Sequence, residues 1–90
     1  MLVHSTKKKL SAGNFYPLGA ALHGDGVNFA IYSQRAHEVF LLLFDSPEAE
    51  PTDIIKLENR TRYIWHTFVH GIKAGQLYGY KIRGEYNPAY

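Results

Sequence analysis

Cysteine is absent from this chain. Its absence rules out a disulfide framework, a thiolate nucleophile and cysteine-built metal sites, and it fits a reducing compartment. Long apolar runs are missing too. The longest, Val39 to Phe44, is far shorter than the roughly 20 residues a membrane helix requires, so no membrane partner is expected. The opening MLVHSTKKKL places its charges after its short apolar part, the reverse of a secretory signal. A cytoplasmic location follows as the expectation. An excess of one charge is also lacking. Ten Lys and Arg stand against eight Asp and Glu, for a net +2 with five neutral histidines. That balance is too even to imply a nucleic-acid partner.

Helical periodicity is missing as well. Eight glycines, four prolines and many β-branched residues interrupt each window in which apolar residues recur at helical spacing. What remains is a series of short extended segments separated by turn signals. FYPLGAAL (Phe15–Leu22) is a short strand with Pro17 at its edge. HGDG (His23–Gly26) is a hairpin turn in which Asp-Gly supplies positive φ. In VNFAIYS, Val27, Phe29 and Ile31 share one face, and Asn28, Ala30 and Tyr32 the other. EVFLLLFD (Glu38–Asp45) is apolar enough to be covered on both sides. Asp53–Asn59 reads as one short strand, Arg62–Val69 as a longer one inside a sheet, and Leu77–Tyr86 as the last. Residues 1–13 read as a flexible Lys-rich lead and residues 14–90 as one domain. The fold class is all-β, and strands at this spacing predict an antiparallel β-sandwich. A domain of this size hides only roughly 60–65% of its unfolded surface, so its core is thin.

Few residues carry chemistry. The glycines of GDG lead into a strand and not a helix, so they do not make a phosphate loop. His66 and His70 lie four apart, which on a strand separates them by about 13 Å. No metal site and no cofactor is expected. Asp45, Glu48, Glu50 and Asp53 gather around one loop, whereas glycoside hydrolysis needs two carboxylates facing each other across a cleft. No catalytic residue is assigned. Aromatic rings remain. Trp65, Tyr78 and Tyr80 can stack on the C–H face of a sugar, with Lys81, Arg83 and Asn87 as hydrogen-bond donors. The competing role for Trp65 and a tyrosine is core packing, where large rings supply much of the buried area.

Two stretches also resemble a known family. FYPLGAALHGDGVNFAIYSQRAHEVFLLLFD resembles the start of glycogen-debranching and isoamylase-type enzymes. The match is carried by Tyr16 to Ala20, Asp25 to Ala30, Ser33, and Leu43 to Asp45. IWHTFVHGIKAGQLYGYKIRGEYNP continues it at Trp65, His66, Val69, Gly71, Ile72, Gly75, Gln76, Tyr78, Tyr80, Lys81, Gly84, Tyr86 and Pro88. The resemblance implies an immunoglobulin-like β-sandwich, classed with family-48 carbohydrate-binding modules, placed ahead of a (β/α)8 barrel of glycoside hydrolase family 13. It implies that the barrel, as partner in the same parent chain, cleaves α-1,6 branch points of glycogen or starch. It also implies a closing strand beyond Tyr90, so that the isolated chain would self-associate through an open sheet edge.

The resemblance bears on sugar binding too. Family-48 modules that grip glycogen use a tryptophan in the loop after an early strand, a second tryptophan, and a lysine. Here that loop is DSPEAEP, and Gly79 falls near the lysine position with Lys81 close by. The expectation is packing first and α-glucan binding second, with Trp65, Tyr78, Tyr80 and Lys81 as the binding candidates. Three roles follow: a non-catalytic accessory module of an α-glucan debranching enzyme, an autonomous glycogen-binding adaptor, or a structural immunoglobulin-like interaction domain. A shared exposed face on Trp65, Tyr78 and Tyr80 favours the adaptor; burial favours the other two.

Overall fold

A computed structural model describes residues 6–84. Eight strands succeed one another: β1 (Leu10–Ser11), β2 (Gly19–His23), β3 (Gly26–Tyr32), β4 (Ala36–Phe44), β5 (Asp53–Lys56), β6 (Asn59–Thr61), β7 (Ile64–His70) and β8 (Leu77–Gly84). There is no helix among the described residues. All pairings are antiparallel. One sheet runs β1-β7-β3-β2, with β6 also paired to β7; the other runs β5-β4-β8. The chain changes sheet three times, between β3 and β4, between β5 and β6 and between β7 and β8, giving the expected two-layer sandwich.

The two sheets meet through one strip of alternate residues. Val27, Phe29, Trp65 and Val69 come from the first sheet, and Val39, Leu41, Leu43 and Ile55 from the second, with Leu57 between them. Register explains the strip. Val27 lies opposite Val69 and Ile31 opposite Trp65, so those side chains leave on one face. β4 is apolar on both faces, as its sequence implies. Phe40 is buried outside the strip, while Glu38 on the same outer face pairs with Lys56 at 3.4 Å and Arg83 at 3.2 Å.

Several local expectations are corrected. The segment Asp53–Asn59 is not one strand: β5 and β6 lie in different sheets, split where Leu57 donates its N–H to the Val39 carbonyl. In the β2–β3 hairpin, Gly24 and not Gly26 carries the positive φ, at 61°. That is the pattern of a two-residue turn with glycine first. Gly26 is small for another reason, because a Cβ there would run into the Val69 carbonyl oxygen. The lead is not free over its whole length. Leu10 and Ser11 pair with Val69 and Phe68, and the Thr6 hydroxyl donates to Asp53 at 2.7 Å.

The lead is held by two buried polar side chains on the outer face of the first sheet. Asn28 accepts from the Asn14 N–H at 2.8 Å and donates to the Asn14 carbonyl at 3.0 Å. His66 lies between the Ala12 carbonyl oxygen at 2.8 Å and the Thr61 hydroxyl at 2.9 Å. Gly13, at φ 73°, passes so close that a Cβ would come within 2.6 Å of the Asn28 oxygen. Burial of Asn28 and His66 is tolerable because each polar atom meets a partner.

One side of the sandwich is less complete. β2 and β8 are the edge strands there, and an open apolar groove runs between them, lined by Ala20, Leu22, Phe29 and Tyr78 among others. Leu22 leaves β2 opposite Val27 yet stays 60% exposed. This asymmetry sets an expectation. Leu41→Ala, at a fully buried site, should lower the unfolding free energy by about 2–5 kcal/mol. Leu22→Ala should cost under about 1 kcal/mol. Urea unfolding of both variants checks this; equal costs would mean that the groove is closed in solution.

Candidate functional site

Trp65 is 8% exposed and belongs to the inter-sheet strip. Its indole N–H donates to the Ser33 carbonyl at 3.3 Å. The Arg60 guanidinium lies over its ring, 5.4 Å from the centroid, from the neighbouring strand β6. Such a contact contributes about 0.5–1 kcal/mol where it is partly solvated. Both ring and donor are therefore committed within the fold.

Tyr78 and Tyr80 leave β8 toward the inter-sheet side, opposite Leu43 and Leu41. The Tyr78 ring meets Phe29 edge-on at 5.1 Å and Tyr80 at 5.9 Å. Tyr78 keeps 42% of its surface exposed, while Tyr80 is half-buried and packs against the strip. The Tyr80 hydroxyl is buried without a hydrogen-bond partner among the described residues. Its pKa is pushed up to about 12, first by burial and second by Tyr78. The fold therefore holds the neutral phenol.

Lys81 stands apart from these rings. It lies opposite Phe40, one residue out of phase with Tyr80, and so projects from the outer face of the second sheet. Gly79 lies opposite Leu42 on that face, near the Phe44 ring. The four sequence candidates are thus brought together only in part. Tyr78 touches Tyr80, Trp65 is enclosed in the core, and Lys81 points the other way. They form no shared exposed platform. Arg83 is engaged with Glu38, and Asn87, Tyr86 and Pro88 lie outside the described residues.

The acidic residues are divided between surface and scaffold. Asp45, Glu48 and Glu50 are exposed. Asp53 is buried and accepts hydrogen bonds from the Thr6 and Thr52 hydroxyls, with the Lys8 ammonium at 4.0 Å. His66 and His70 do not share a ligand site: His66 holds the lead, and His70 contacts Ser11 and Asp25. No group of metal-ligating side chains occurs among the described residues.

Sequence reasoning missed a different aromatic pair. Tyr32 ends β3 and Tyr63 forms the turn between β6 and β7; their rings meet edge-on at 6.1 Å. Both are exposed, at 56% and 42%. Locating the pair needs the β6–β7 hairpin, and its turn, Arg62 and Tyr63, has no glycine or asparagine to announce it. Arg62 takes the positive φ instead, at 56°, alone among the described non-glycine residues.

Comparison with known proteins places this geometry in a family. Residues 17–90 match Carbohydrate-binding module 48 (Isoamylase N-terminal domain). The chain is 42% identical over 81 residues to the glycogen debranching enzyme of Serratia proteamaculans, covering 90% of this chain and 12% of that protein. It is 40% identical over 77 residues to the glycogen operon protein GlgX homolog of Mycobacterium tuberculosis, covering 86% of this chain and 10% of the other. Among solved structures, a pullulanase from Paenibacillus barengoltzii, in complex with maltohexaose and alpha-cyclodextrin, superposes with a TM-score of 0.71. Its identity is 19%, over 81% of this chain and 11% of that one, a likeness of fold. The chain spans about a tenth of the length of these relatives. With the two-sheet sandwich and the matched residues together, the chain belongs to the carbohydrate-binding module 48, or isoamylase N-terminal domain, family.

Proposed function

We propose that the chain is the non-catalytic N-terminal module of a cytoplasmic α-glucan debranching enzyme that acts on α-1,6 branch points. In this reading the sandwich supports a catalytic (β/α)8 barrel in the same parent chain and contacts α-glucan weakly. The observation that carries it is the relation to proteins named glycogen debranching enzyme, matched along 90% of this chain but only 12% of theirs. A module so small relative to its relatives leaves most of such an enzyme elsewhere.

The surface supports the same role. Phe15, Tyr16, Leu18 and Leu22 are all exposed, Tyr16 by 75%. They lie before and within β2: Leu22 lines the apolar groove that also takes in Tyr78, and Tyr16 lines a second recess with Ala21, Leu22, Asn28 and Phe68. Apolar surface gathered around one edge strand marks a contact face. The barrel is the partner proposed for it. Exposed carboxylates on one loop and a buried Asp53 held by two hydroxyls offer no acid and nucleophile facing each other across a cleft. The adaptor reading is weaker, because Trp65 is enclosed and Lys81 lies on the opposite face from Tyr80.

Two outcomes are expected. Purified chain incubated with glycogen and with pullulan should release no reducing sugar above a matched blank; release would falsify the non-catalytic assignment. The second concerns β8, which among the described residues pairs only with β4. Its other edge carries backbone groups ready to pair with another strand. The isolated chain should therefore self-associate over a hundredfold concentration range in sedimentation. A single monomeric species throughout, with amide protection along the outer edge of β8, would contradict this.

A further inference from the structure

We infer that Tyr32 and Tyr63 form an α-glucan contact on the end of the first sheet, separate from the residues of β8. This rests on the reading of the chain as a module of an α-glucan enzyme, and it names where such a module would touch the polymer. The two rings are exposed and meet edge-on at 6.1 Å. In that arrangement they stand nearly at right angles, at 72°. Such a corner suits a pyranose ring, which stacks its apolar C–H face on one aromatic ring and turns hydroxyls toward polar neighbours. The neighbours here are the two phenol hydroxyls and the exposed Arg62 in the turn.

The corner is held in place by backbone. The Ser33 N–H donates to the Tyr63 carbonyl at 2.8 Å, and the Ser33 carbonyl accepts the Trp65 indole N–H. Ser33, next to Tyr32, is thereby tied to the turn at Tyr63 and to β7 at Trp65. On the far side, the Arg60 guanidinium donates to the Arg62 carbonyl at 2.7 Å while lying over Trp65. Arg62 itself sits at φ 56°, where a side chain is disfavoured and glycine is the ordinary choice. A strained turn, fixed on both flanks, that carries one of two exposed rings is the combination expected of a binding corner. It limits the ordering cost on the protein side, a requirement when one or two rings must hold a flexible oligosaccharide.

A neutral sugar stacking on these rings makes three demands that experiment can meet. Maltoheptaose added to the isotopically labelled chain should shift the amide signals of Ser33, Tyr63 and Ile64. In native gels containing glycogen, Tyr32→Ala and Tyr63→Ala should each weaken retardation by about fivefold. Both residues are exposed, so the melting temperature should stay within a few degrees of the parent chain. Tyr63→Phe, which keeps the ring, should retain most of the binding. Shifts confined to the outer face of the second sheet, around Leu42, Phe44 and Gly79, would overturn the inference, as would alanine variants that bind like the parent chain. Absence of any shift or retardation also overturns it, while leaving the support role untouched. Reducing-sugar release would instead defeat the non-catalytic reading and leave the mapped contact standing.

Discussion

The fold depends on the burial of β4 against the opposing sheet. Val39, Leu41 and Leu43 have no exposed surface, and the residues that close over them come from β3, β5 and β7 and from Leu57. In a domain this small, that one strip supplies most of the apolar burial, and no disulfide supplements it. The consequence reaches the aromatic residues. Trp65 and Phe29 are needed to fill the space between the sheets, and Arg60 completes the cover of Trp65. Rings spent in this way are unavailable to a ligand. The most obvious ring in the sequence, Trp65, is therefore a packing residue in this fold.

Much of the sandwich was legible because strand signals and core signals coincide. Alternation in VNFAIYS gave the correct inward set, and the doubly apolar β7 is indeed interior, paired with β3 on one edge and with β1 and β6 on the other. The failures share a cause. The lead looked free because its order depends on Asn28 and His66, which lie far along the chain and bind backbone groups without any local sequence signal. The β6–β7 hairpin was invisible because Arg62 occupies a conformation that sequence rules reserve for glycine or asparagine. Tyr32 and Tyr63 could not be paired before that hairpin was known. Lys81 was grouped with Tyr78 and Tyr80 although alternation along β8 puts it on the other face, as its register opposite Phe40 shows.

The resulting picture separates three surfaces with different duties. The inter-sheet strip provides stability. The exposed residues before and within β2 leave apolar area at that edge strand. The end of the first sheet presents two rings on a restrained turn. Each is built from short local choices: a polar pair that fixes a strand, an exposed leucine on a sheet edge, a side chain where glycine would be easier. Family membership supplies the module, an isoamylase N-terminal domain, and geometry separates its surfaces.

Trp65 fills the space between the sheets in place of a ligand-facing role. It is the chain's single tryptophan, so its fluorescence reports one environment. Emission and acrylamide quenching, followed while maltoheptaose is added to the intact chain, test the claim most directly. An enclosed indole gives a blue-shifted emission, poorly quenched and unchanged by the sugar up to several millimolar, on the order of a weak module's dissociation constant. A red-shifted, readily quenched emission that the sugar protects would contradict it and make Trp65 the platform.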